Sequence, residues 1–70
     1  MTASQTRSFE NIFRFFDNNY GTVTEVIKRF GDTGILGLII YYTRPSGRKM
    51  VMQILIGKRG KRETFRHEEF

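Results

Sequence analysis

Cysteine is absent from the 70 residues, which excludes disulfides, thiolate metal ligands and a cysteine nucleophile. Nothing in the chain is adapted to an oxidising compartment, and cytoplasmic residence is the default expectation. Histidine is nearly absent too. The single one, His67, lies in a charged tail with no apolar shell to tune it, so it reads as a solvated side chain and not as a catalyst or ligand. Long apolar runs are missing. The longest, ILGLIIYY at 35–42, is half or less of the ~20 residues that span a bilayer as a helix, so it is a strand candidate and no membrane partner is expected. The opening MTASQTRS lacks the apolar stretch of a signal peptide. GDTGILG carries spaced glycines without the Lys-Ser/Thr of a phosphate loop, and no three residues have metal-ligand spacing. Glu10 and Asp17 read as surface and cap groups. An enzyme, a cofactor and a metal are therefore not expected.

Acid is the remaining scarcity, and its distribution is uneven. The net charge is +5. Through residue 43, Arg7, Arg14, Lys28 and Arg29 are balanced by Glu10, Asp17, Glu25 and Asp32, whereas seven bases and no acid lie between Arg44 and Arg62. A neutral half joined to a basic half suits a domain that turns one face to phosphate or to an acidic partner.

A chain this short forms one domain at most, with a small margin between burial and chain entropy. Residues 1–7 are small and polar and are expected to be disordered. Phe9, Ile12, Phe13 and Phe16 then recur at helical spacing behind Ser8 as N-cap, predicting a first helix over about 9–18 that DNNYG ends. TVTE at 22–25 fits a capping box, and Val23, Val26, Ile27 and Phe30 repeat the helical spacing before Gly31, predicting a second helix over 23–30.

Two β-rich runs, 35–43 and 48–56, flank Arg44-Pro45-Ser46-Gly47, which suits a type I turn with a Gly bulge. A three-residue loop then pairs Arg44 with Arg48, Tyr42 with Met50, Ile40 with Met52, Leu38 with Ile54 and Leu36 with Ile56. That face is apolar and is expected to receive the helices. The other face, with Ile39, Tyr41, Val51 and Leu55, holds more apolar surface than solvent contact needs, so self-association into a homodimer or a third strand is its simplest cover. The segment 58–70 is basic, with an edge strand over 61–66 favoured over a short helix or a fraying tail. The expected fold is thus α+β: a single domain over 8–57, two short helices on an antiparallel hairpin, and a basic C-terminal segment.

The order helix, turn, helix, basic-tipped hairpin over about residues 9–57 resembles a minimal winged helix-turn-helix, the plan of small DNA-binding proteins such as excisionases. That resemblance implies a second helix in the major groove and a hairpin along the neighbouring groove or backbone. Lys28 and Arg29 come late in the predicted second helix, so contact would fall mainly on phosphate. The expected function is non-catalytic nucleic-acid binding, DNA before RNA, through Lys28, Arg29, Arg44, Arg48, Lys49, Lys58, Arg59, Lys61 and Arg62, with Tyr41 able to stack on a base. The rival reading is a small regulatory or assembly factor that docks on an acidic protein or self-associates through Ile39, Tyr41, Val51 and Leu55.

Overall fold

The computed structural model describes residues 1–67, and of residues 15, 17, 18, 66 and 67 the backbone alone. One helix, α1 (Ala3–Asn19), precedes four strands, β1 (Thr22–Phe30), β2 (Leu36–Thr43), β3 (Lys49–Ile56) and β4 (Arg62–His67). The strands form one antiparallel sheet in the order β1-β2-β3-β4. The α+β class holds, but the second helix does not exist and the described residues have no helix-turn-helix, so the winged-helix plan is corrected to a helix on a four-stranded meander.

Helix α1 begins at Ala3, inside the stretch expected to be disordered, because Thr2 and Gln5 close a capping box. The Thr2 hydroxyl accepts from the Gln5 N–H at 3.1 Å, and Gln5 Oε1 accepts from the Thr2 N–H at 2.9 Å. Ser8 is therefore a buried interior residue of the helix and not its cap. The expected apolar stripe holds, with Ile12 and Phe16 in the core and Phe9 and Phe13 packed against it. Phe16 meets Tyr42 edge-on at 4.9 Å and Tyr20 at 5.0 Å, pairings that add about 0.5–1.5 kcal/mol to burial alone.

Residues 22–30 form a strand: five of the nine are β-branched, which favours that state, and pairing with β2 fixes it. Their misleading spacing has a structural cause. The pairing of β1 with β2 shifts register between Val23 and Glu25, so Thr24 is an extra residue in the strand. Val23 opposite Tyr42 and Val26 opposite Ile40 thereby share the helix-facing side. A bulged strand has reproduced the i, i+3 pattern of a helix. The Thr24 hydroxyl donates to the Tyr41 carbonyl at 3.1 Å, anchoring the bulge.

The β2–β3 register matches the one derived from the turn at all eight pairs from Thr43–Lys49 to Leu36–Ile56. Leu36, Leu38, Ile40, Tyr42, Met50, Met52, Ile54 and Ile56 form the buried face under α1. The expected edge strand is also present, and β4 pairs with β3 from Ile56–Arg62 to Val51–His67. All three hairpin turns share one hydrogen-bonding pattern, closing through Gly34, Gly47 and Gly60, each at a φ between 83° and 90°.

Candidate nucleic-acid interface

The β1–β2 and β3–β4 turns and the start of α1 lie at one end of the sheet, and the β2–β3 tip lies at the other. Polar side chains tie the first group together. Gln5 Nε2 donates to the Gly34 carbonyl at 2.8 Å and to the Ile56 carbonyl at 3.2 Å. The Thr2 hydroxyl donates to the Lys58 carbonyl at 2.7 Å. Gly60 packs so closely on Ser4 that a Cβ there would stand 3.1 Å from the Ser4 carbonyl oxygen. These contacts hold the basic β3–β4 turn against the first turns of α1.

A groove of about 250 Å³ runs between them, bordered by Ser4, Arg7, Ser8 and Asn11 on the helix and by Arg59 and Arg62 on the strand side. No acid is among these lining residues. Arg62 pairs in register with buried Ile56, which places it on the α1 side of the sheet, opposite Arg7. The groove continues along β4 as a second concavity of about 210 Å³, where Asn11, Asn19, Arg62 and Thr64 stand over an apolar floor that includes Met52 and Ile54. On the outer side of the helix, Arg7 and Arg14 share a further concavity with Glu10. The positive end of the α1 dipole lies beside the first groove, which favours an anion there.

The expected site residues are thus divided. Lys58, Arg59 and Lys61 are exposed on the β3–β4 turn, with Arg62 opening β4. Arg44, Arg48 and Lys49 stand exposed about the β2–β3 tip, roughly 25 Å away along an eight-residue strand. Lys28 and Arg29 do not lie on an outward helix face. As neighbours on edge strand β1 they point to opposite sides of the sheet, and the Lys28 ammonium sits 5.2 Å from the Phe9 ring centroid in a cation–π contact. Tyr41, Ile39, Val51 and Leu55 lie half-buried on the face turned away from α1, joined there by Ile27 and Phe65. The His67 side chain and residues 68–70, the end of the basic C-terminal segment, are outside the described residues.

Arg7 is the residue the sequence reading missed. It was balanced against acids of its own half, and only the fold carries it to Arg59 and Arg62. The signal available was weak: Thr2-x-x-Gln5 as an earlier cap would have drawn Arg7 into the helix. Among the described residues, no cluster of His, Asp and Glu could hold a metal ion, and no helix is long and apolar enough to cross a membrane. Neither family models, nor curated proteins, nor solved structures give a match to this chain.

Proposed function

We propose that the chain is a non-catalytic nucleic-acid-binding domain whose main contact is phosphate held in the groove between α1 and the β3–β4 turn. One observation carries the reading. Three guanidinium groups drawn from positions 7, 59 and 62 border a single groove with no acid among its described lining residues, which also offers the Ser4 and Ser8 hydroxyls and the Asn11 amide. Guanidinium groups suit phosphate because their planar fork donates two parallel hydrogen bonds to it. Lys58 and Lys61 flank the groove and extend the contact along a backbone. Arg44, Arg48 and Lys49 form a separate secondary contact at the far end of the hairpin. Guanidinium contacts to the phosphate backbone carry no base information, so binding is weakly sequence-specific and strongly salt-dependent.

Fluorescence anisotropy with labelled duplex and single-stranded oligonucleotides, at two or more salt concentrations, tests this. Replacing Arg59 and Arg62 together by Glu is expected to lower affinity by about tenfold or more and to flatten the salt dependence by nearly one unit of log–log slope for each phosphate no longer neutralised. Both side chains are exposed, so circular dichroism should report an intact fold. The matching reversal of Arg48 and Lys49 should have the smaller effect. Wild-type affinity in the Arg59/Arg62 variant would overturn the groove assignment. No oligonucleotide binding at low salt would transfer the groove to an acidic protein partner.

A further inference from the structure

Helix α1 covers one face of the sheet and leaves the other bare. On that bare face the register aligns residues into rows across the strands: Arg29, Gly37, Leu55 and Glu63; then Ile27, Ile39, Gln53 and Phe65; then Glu25, Tyr41 and Val51. Six of these side chains are large and apolar, and Phe65 is 46% exposed. A patch of this composition, rimmed by charge of both signs, marks a contact surface.

We propose that its occupant is a second copy of the same chain, packed face to face about a two-fold axis that runs across the strands along the row Ile27, Ile39, Gln53 and Phe65. The charge pattern is what selects this partner. The axis exchanges the rows on either side of it, so Arg29 of each copy meets Glu25 of the other. Within one chain these two are four residues apart on an extended strand, about 13 Å, and cannot pair. Shape follows the same exchange. Gly37 leaves a depression of about 200 Å³ beside Ile27, Arg29, Ile39 and Gln53, and the axis brings Tyr41 of the second copy over it. Leu55 then meets Val51, and apolar Ile27 and Ile39 meet their own copies.

Gln53, exposed at the centre of the face, decides between this axis and the alternative one parallel to the strands. The alternative would press its amide onto Ile39 with no partner. The axis chosen here sets the amide on its own copy, where two primary amides can hydrogen-bond reciprocally. Packing of this kind is the aligned arrangement of a β-sandwich. It also lays the β2–β3 tip of one copy over the β3–β4 end of the other, so the two basic clusters that are far apart within a chain share each end of the pair. The bare face alone drives this pairing, whatever the groove on the other side of the sheet binds.

Sedimentation equilibrium of the full chain at tens of micromolar should give twice the 8.3 kDa chain mass. Gly37→Val supplies the selective variant. A Cβ at Gly37 makes only ordinary contacts, 3.6 Å to the Arg29 carbonyl oxygen and 3.7 Å to Leu55 Cδ2, so the strand has room for a side chain to start there and enter the depression. It should weaken self-association at least tenfold and leave the circular dichroism of a folded chain. Arg29→Glu should weaken association to a similar extent, and adding Glu25→Arg should restore it, whereas adding Glu63→Arg should not. A monomeric wild type, unimpaired association of G37V, or rescue of R29E by E63R instead of E25R would each overturn the proposal.

Discussion

The Gln5 side chain is 1% exposed and makes three hydrogen bonds that link three separate pieces of chain: the helix cap, the β1–β2 turn and the end of β3. Replacing it by Ala removes its hydrogen bonds to the Gly34 and Ile56 carbonyls and half of the capping box. A loss of about 1–3 kcal/mol is expected, read as a lower urea midpoint. Gly21 and Gly47 make a contrasting pair. Both have positive φ, 135° and 88°, but a Cβ on Gly21 would collide with the Thr43 carbonyl, whereas nothing lies within 4 Å of one on Gly47. Gly47→Ala is therefore expected to cost about 1 kcal/mol from backbone conformation alone. Gly21→Ala should cost clearly more, because the backbone on both sides must move. Equal thermal shifts for the two would mean that space at Gly21 is not the limiting factor.

Among the elements, the hairpin was the most legible. Its register follows from local chemistry, since Pro45 and Gly47 set a three-residue loop and the loop length sets every pair beyond it. Helix α1 was legible along its apolar stripe from Phe9 to Phe16 but not at its start, because Thr2 and Gln5 are ordinary polar residues until Lys58, Gly34 and Ile56 stand beside them. Thr2→Ala should cost about 1 kcal/mol by loss of the cap, measured by chemical denaturation. Strand β1 was misread for a definite reason. A bulge at Thr24 restored a helical spacing to residues whose β-branching argued the other way, and the partner strand that resolves the conflict is fixed only by the tertiary fold. The edge strand expected over 61–66 is present as β4, where its charges discourage pairing with another chain.

For the molecule as a whole, a single layer of helix on a single sheet gives a small core. Leu38 is fully buried at its centre. Truncation of such a leucine to Ala costs about 2–5 kcal/mol, and a domain of this size has only about 5 kcal/mol to lose. Leu38→Ala is therefore expected to leave only about 0–3 kcal/mol of stability at 25 °C, visible as a large fall in the urea midpoint and in amide-exchange protection.

Composition and local spacing by themselves determined the α+β class, the β2–β3 register, the apolar stripe of α1 and the concentration of charge after residue 43, because each depends on residues within a few positions of one another. Only the tertiary structure decided that 22–30 is a strand, that Lys28 and Arg29 part to opposite faces, and that Arg7 joins Arg59 and Arg62. Those outcomes depend on pairing and packing between segments some ten to fifty residues apart, and no window of sequence carries the free energy of contacts that close over such distances.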